Sequence, residues 1–115
     1  MGNLNSIEQK KKIVRQTVEQ IANIDSFDNQ DNTIRVLDDL GGHYLLFNNA
    51  WKDGKRFYGC FLHVDVHPDG KVWLQYDGTD QNVAESLVQA GIQHLDIVLA
   101  FQPPSVRQYT EFATA

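Results

Sequence analysis

Two Asp-Gly pairs, Asp53-Gly54 and Asp69-Gly70, divide the middle of the chain into three runs rich in β-branched and aromatic residues. Asp-Gly between such runs is a strong local signal for a β-hairpin, because Gly and Asp accept the backbone conformations that a tight turn requires. The sequence therefore predicts a three-stranded antiparallel meander. Its strands are HYLLFNNAW, RFYGCFLHVDVH and KVWLQYD.

The second turn, HPDGK, predicts a three-residue loop closed by His67 and Lys71. Counting back from this loop gives an apolar face, which makes the register self-consistent. The predicted pairs on that face are Val66 with Val72, Val64 with Leu74, and Leu62 with Tyr76.

The opposite face of the meander carries polar side chains. The same count places Asp65 opposite Trp73, His63 opposite Gln75 and Phe61 opposite Asp77. A three-residue loop at residues 52–54 adds His43 beside His63, whereas a two-residue loop places Tyr44 there, and the sequence leaves both open. The predicted polar cluster on this face consists of His43, His63, Asp65, Gln75 and Asp77.

Two interpretations of this cluster compete. His43, His63 and Asp65 are residue types that bind metal ions. However, His63 and Asp65 are separated by about 7 Å along a strand, which works against convergence on one ion. The favoured interpretation is a half-buried hydrogen-bonded cluster, with His63 bonded to Gln75 or Asp77, a solvated His67, no metal and no cofactor. A metal-dependent, nuclease-like enzyme that uses His63 and Asp65 stands as the alternative.

Four aromatic residues are also expected on this face: Trp51, Phe57, Phe61 and Trp73. A wide aromatic face either packs beneath a helix or meets a partner. The sequence therefore predicts a protein-binding face, and a homodimer formed through this face or a sheet edge is a second possibility.

The segment SIEQKKKIVRQTVEQIANI predicts an N-terminal helix that the polar residues 25–32 end. Ser6 and Gln9 form a capping-box pattern, and apolar residues recur at a helical period. The helix also carries a basic run, for which a solvated face is favoured over a small anion-contact patch. The run consists of Lys10, Lys11, Lys12 and Arg15.

Flanking segments complete an α+β fold in one domain over residues 1–115, with a helix, a meander and then helix–strand–short helix. Residues 33–37 predict a strand, Gly41-Gly42 a turn, and residues 96–101 a buried strand. A helix before Gly91 is expected to have Thr79 or Asp80 as its N-cap. A last short helix begins with Ser105 and Gln108 in capping-box spacing and turns Tyr109, Phe112 and Ala113 inward.

Composition limits the partners of this 115-residue chain. Its net charge is −5, from ten basic and fifteen acidic residues. A protein that binds DNA without a partner usually has a strongly basic surface. A single cysteine, Cys60, fits a reducing compartment, and no apolar run is long enough to span a bilayer. We therefore expect a cytoplasmic protein without membrane contact.

The segments HYLLFNNAW, RFYGCFLHVDV, GKVWLQYDGTD, VAESLVQAGI and DIVLAFQPPSVRQYTEFA resemble, in order and spacing, the successive blocks of the XisI-like family. The resemblance extends over nearly the whole chain from Ile7. The family pattern matches His43, His63, Asp65, Gln75, Asp77, Gly78 and Pro104, and it departs at Asp80, Gln93 and Gln102.

The resemblance implies a genetic role and brings no established catalytic residue. Members are named as controlling factors for excision of the fdxN element in cyanobacteria, and are encoded beside a companion protein, XisH. We therefore expect a non-enzymatic accessory factor that acts through a XisH-like partner, with DNA contacted indirectly in a recombination complex. Direct DNA binding through the basic run is a further alternative.

Overall fold

The computed structural model describes residues 6–24 and 33–115 of the chain. An N-terminal helix is followed by four antiparallel strands, and short elements complete the fold, so the α+β prediction is confirmed. The elements are α1 (Ile7–Ile24), β1 (Thr33–Asp38), β2 (His43–Lys52), β3 (Lys55–Val66), β4 (Val72–Asp77), α2 (Val83–Gln89), a 3₁₀ turn (His94–Asp96), β5 (Ile97–Leu99) and α3 (Pro104–Arg107).

The sheet has five strands in the order β1-β2-β3-β4-β5. The first four are antiparallel neighbours, so the predicted meander is confirmed and extended by β1. β5 returns parallel to β4 after the α2 crossover, and its three residues are buried, as expected for a continuous apolar run.

Helix α1 covers one face of this sheet. Its amide at Gln9 donates to the Ser6 hydroxyl at 3.2 Å, which is the predicted N-terminal cap. The polar segment predicted to end the helix, residues 25–32, lies outside the described residues. The helix and sheet share one core that includes Val14, Val18, Ile21, Tyr44, Leu46, Leu62, Val64, Leu74, Leu87 and Ile97. We call the opposite sheet face the outer face.

The β2–β3 turn is the two-residue alternative. Lys52 pairs with Lys55, and both Asp53 and Gly54 have positive φ, as a type I′ turn requires. Neither of the two pairings left open by the sequence occurs, because His63 pairs with Leu45 and neither His43 nor Tyr44 lies opposite it.

A β-bulge then changes the register of this hairpin. Leu46 pairs with Leu62 but Phe47 pairs with Cys60, so Phe61 is the extra residue of β3. The bulge turns the Phe61 side chain into the core, where it is 8% exposed. The expected exposed position of Phe61 is wrong for this reason.

A second bulge lies between β3 and β4. The predicted pairs Val66–Val72, Val64–Leu74 and Asp65–Trp73 are confirmed, but His63 pairs with Tyr76 and Leu62 with Asp77. Gln75 is therefore the extra residue of β4. The predicted pairs Leu62–Tyr76, His63–Gln75 and Phe61–Asp77 are wrong because the bulge moves β4 by one residue.

The helix caps differ from expectation. Asn82, not Thr79 or Asp80, caps α2, and Gly91 follows this helix at positive φ, as predicted. Pro104 occupies the first turn of α3, so the capping box at Ser105 does not form. Ala113 is buried as predicted, whereas Tyr109 is 83% exposed because α3 ends at Arg107.

None of the helices within residues 6–24 and 33–115 could cross a membrane.

Candidate functional site

The outer face holds a compact polar cluster centred on Asp65. One carboxylate oxygen, Oδ1, lies 2.8 Å from His43 Nδ1 and 2.8 Å from His63 Nε2. The other oxygen, Oδ2, accepts a hydrogen bond from Gln75 Nε2 at 3.2 Å. Asp65 itself is only 7% exposed. Two imidazoles and an amide therefore converge on one nearly buried carboxylate.

Strand register explains this convergence. His43 lies directly opposite Asp65, and the neighbouring Val66 amide donates to the Gly42 carbonyl at 2.8 Å. Because hydrogen-bonded and non-hydrogen-bonded pairs alternate in an antiparallel ladder, His43 and Asp65 form a close, non-hydrogen-bonded pair. His63 precedes Asp65 by two residues and faces the same way.

The two bulges supply the rest of the geometry. A two-residue turn alone would place His43 opposite Val64, which faces the core. The extra residue Phe61 shifts the pairing by one more residue, so that His43 lies opposite Asp65 on the outer face. The extra residue of β4, Gln75, reaches across to Asp65. The bulge at Phe61 is therefore needed to bring His43 opposite Asp65.

Close approach before β2 also positions His43. A Cβ at Gly41 would lie 2.9 Å from His43 Cδ2, a contact that real side chains do not make. Glycine at this position thus leaves room for the imidazole to turn towards Asp65.

Two other predicted positions do not join the cluster. Asp77 instead accepts hydrogen bonds from the Thr79 amide and hydroxyl and from the Val83 amide, so its carboxylate anchors the start of α2. His67 stacks on Trp73 with ring centroids 5.0 Å apart and is partly exposed.

The predicted hydrogen bonds of His63 are also corrected. Its partner is Asp65, neither Gln75 nor Asp77. Side-chain length and rotamer freedom bring the two groups together although their backbone positions are two residues apart along β3. The separation along the strand therefore does not prevent contact between the His63 imidazole and the Asp65 carboxylate.

A second feature is the tip of the β2–β3 hairpin, residues 49–58, which we call the hairpin arm. β1 pairs with β2 only as far as Asn48, and β4 pairs with β3 only from Leu62 onward. Within the described strands, the arm is consequently a two-stranded ribbon with open backbone edges.

The arm carries a stack of exposed side chains. Trp51 is 67% and Tyr58 is 62% exposed, and the Arg56 guanidinium lies 5.8 Å from the Trp51 ring and 5.2 Å from the Tyr58 ring. These distances are within cation–π range. The stack faces the same side as the polar cluster, because β2 alternates without interruption from His43 to Trp51.

The predicted aromatic face is therefore not one continuous surface. Trp51 lies on the outer face, but Phe57 pairs with Ala50 and faces the opposite side of the arm. Trp73 lies on the outer face yet is half-buried, with His67 and Arg107 against its ring. Sequence reasoning missed Arg56 and Tyr58, although the two-residue turn would have placed both beside Trp51.

The basic run on α1 is largely neutralised within the chain. Lys10 is 5% exposed, and its Nζ donates to the Gly70 carbonyl at 2.6 Å and lies 3.3 Å from Asp96 Oδ2. Arg15 pairs with Asp39 at 2.6 Å, and Lys11 lies 3.9 Å from Glu8. Both the solvated-face interpretation and the anion-contact patch are therefore wrong for Lys10.

Two titratable groups are perturbed by burial. Burial and the hydrogen bond to Asp39 hold the pKa of Tyr44 well above its usual value, so this phenol stays protonated. Burial also raises the pKa of the Cys60 thiol, which disfavours the nucleophilic thiolate.

Comparisons with known proteins agree along nearly the full chain. A family model described as XisI protein matches residues 4–114. The crystal structure of a XisI-like protein from Anabaena variabilis is 36% identical, with a TM-score of 0.84, and the match covers 96% of this chain and 100% of that one. That of the fdxN element excision controlling factor XisI from Anabaena variabilis is 29% identical, with a TM-score of 0.70, covering 92% and 99%. No curated protein matches significantly.

Proposed function

The chain belongs to the XisI protein family, and from this membership we propose that it controls the excision of a DNA element as a non-enzymatic accessory factor. The role follows the similar protein described as an fdxN element excision controlling factor. In this proposal the chain acts by binding a XisH-like companion protein and meets DNA only through the resulting complex.

The observation that carries the proposal is the Trp51–Arg56–Tyr58 stack on the hairpin arm. Trp, Arg and Tyr are the residue types most enriched at the energetic centres of protein interfaces. The Arg56 guanidinium lies over both rings, and contacts of this kind favour one arrangement of the side chains before binding, which lowers the entropy lost on association. Within residues 33–115 the arm extends past β1 and β4, so a partner can reach it without disturbing the core.

Charge distribution supports indirect contact with DNA. The chain has a net charge of −5, and Lys10, Lys11 and Arg15 are paired with carboxylates of the same chain. Phosphate binding would have to break these pairs before it released counterions. The charges of the basic run therefore contribute to the stability of the fold more than to binding of the DNA duplex.

The Cys60 thiol and the two Asp-Gly-Lys sequences also favour a binding role over a catalytic one. Cys60 is disfavoured as a thiolate because burial raises its pKa. The two Asp-Gly-Lys sequences that superficially resemble nuclease motifs lie in the β2–β3 and β3–β4 turns. We therefore place any chemistry of the complex on the partner.

The test is co-expression with the neighbouring XisH-like protein, followed by purification through a tag on this chain and mass determination of the product. We expect a stoichiometric complex, and we expect Trp51→Ala combined with Tyr58→Ala to weaken it by at least about 30-fold, the loss typical of an interface centre. Tyr109→Ala is the matched control, because it removes a still more exposed aromatic ring near α3.

Two results would count against the proposal. Complex formation by the double arm variant with wild-type affinity would show that the arm is not the interface. No complex at all, together with salt-sensitive DNA binding by the isolated chain, would support direct DNA contact instead.

A further inference from the structure

We propose that His43, His63 and Asp65 form a binding site for one divalent transition-metal ion of the zinc type, with Gln75 orienting the carboxylate. The site lies on the sheet, eight residues along β2 from Trp51 and about 26 Å from it at the usual strand rise. It is therefore separate from the arm, and the inference goes beyond the proposed accessory role.

The donor set suits such an ion. Two imidazole nitrogens and one carboxylate oxygen are borderline ligands that Zn²⁺, Fe²⁺ and similar ions accept, and three protein ligands leave a position open. One ligand atom from each residue lies within 4.8 Å of the others. A tetrahedral zinc site needs ligand atoms about 3.3 Å apart, from metal–ligand bonds of about 2.0–2.1 Å. Small side-chain rotations supply the difference.

The charge of Asp65 supports the same conclusion. This carboxylate is nearly buried, and its ion-pair partners in the described part of the chain are the two histidines, with neither lysine nor arginine. A buried carboxylate needs a countercharge or a metal ion to offset the loss of hydration. A divalent ion between the imidazoles and Oδ1 supplies that charge at the point where both rings already aim.

The surroundings of the cluster resemble the outer layer of a metal site. The Gln75 amide donates to the second oxygen of Asp65, Oδ2, and so orients the carboxylate with Oδ1 towards both imidazoles. Outer hydrogen bonds of this kind fix a ligand's orientation. His43, His63 and Asp65 all stand on paired strands, which position ligands more rigidly than loops do.

A comparison cluster elsewhere lacks these features. His94 Nε2 lies 3.4 Å from Glu111 and 3.8 Å from Glu85, and both carboxylates are substantially exposed. The site at Asp65 differs in having two imidazoles on one buried oxygen. His94 therefore offers a control with a similar mixture of residue types.

The experiment is calorimetric titration of Zn²⁺ into the full chain after treatment with a chelator. We expect one ion per chain for the wild type and for His94→Ala. His43→Ala and His63→Ala should each lower the affinity by more than about 100-fold, whereas Gln75→Leu should lower it by about 10–100-fold without changing the stoichiometry. Circular dichroism and urea unfolding check that each variant folds.

A second measurement is independent of any variant. Nitrogen-15 NMR of the histidine rings with and without Zn²⁺ should show the largest shifts at His43 Nδ1 and His63 Nε2, with His67 and His94 little changed. Equal zinc affinity in the wild type and in a His43→Ala, His63→Ala double variant would overturn the proposal. Shifts concentrated on His94 or His67 would do the same.

Discussion

Replacing Lys10 with methionine is expected to lower the free energy of unfolding by about 3 kcal/mol. The ammonium donates to the Gly70 carbonyl at 2.6 Å and lies 3.3 Å from Asp96, and the lysine side chain is almost entirely buried. A hydrogen bond to a charged group contributes about 1.5–3 kcal/mol, and breaking a buried ion pair costs about 3–5 kcal/mol. Because Asp96 keeps some contact with solvent, the lower part of the combined range applies.

The assay is urea unfolding at neutral pH, followed by circular dichroism. With an m-value of about 1.5 kcal/mol/M, a loss of about 3 kcal/mol moves the midpoint down by about 2 M. Methionine keeps most of the aliphatic stem, so the change isolates the ammonium. Lys12→Met makes the same chemical change at an exposed position of α1 and should stay within about 0.5 kcal/mol of the wild type.

A double-mutant cycle assigns the effect to the ion pair. Lys10→Met and Asp96→Asn should be less destabilising together than the sum of the single changes, with a coupling of about 1 kcal/mol or more. If Lys10→Met unfolds at the wild-type midpoint, the contacts of the buried ammonium do not stabilise the fold and the reasoning fails.

Three further changes test other parts of the structure. Gly42→Ala should lower the free energy of unfolding in urea by about 3 kcal/mol, because position 42 has a positive φ and the added Cβ would clash with the Val66 carbonyl. Gly54→Ala is the control: position 54 has a similar φ but open space around it, so the loss should be only about 1–2 kcal/mol. Asp77→Ala should cost about 1–2 kcal/mol by the same assay, because α2 loses the acceptor of its first amide; a neutral result would contradict that anchoring role. Wild-type stability should fall as the pH rises above about 10, the ordinary tyrosine pKa, because Tyr44 keeps its proton only in the folded state; Tyr44→Phe should reduce this alkaline loss in unfolding curves from pH 8 to 11.

The strands and the long helix were predictable because their signals are local. The Asp-Gly turns delimit β2, β3 and β4, the apolar period of α1 identifies its buried side, and the Val66–Val72 pairing follows from the loop at Pro68. The bulges carry no comparable signal. Phe61 and Gln75 are known as extra residues only from the observed pairing of the strands.

The polar cluster was largely predicted although the β2–β3 register was not. Of the two loops that the sequence left open, the three-residue loop placed His43 beside His63. The observed two-residue turn and the bulge at Phe61 each move that pairing by one residue, so His43 keeps its face but lies opposite Asp65. Asp77 and Lys10 could not be placed in this way. Asp77 contacts the Val83 amide, and Lys10 contacts Gly70 and Asp96. These contacts depend on how the elements pack in three dimensions.

The position of the Phe61 bulge separates the hairpin into two parts with different tolerance for change in length. Residues 49–58 pair with each other and with no other described strand, so one residue inserted on each side of the turn lengthens the ribbon by about 3.3 Å and leaves the registers nearer the core unchanged. The same pair of insertions on the core side of Trp51 and Arg56 would instead turn both side chains to the opposite face, because each strand alternates from its fixed end. The reach of the hairpin can therefore change by matched pairs of residues next to the turn while the Asp65 cluster and the Trp51–Arg56–Tyr58 stack keep their places.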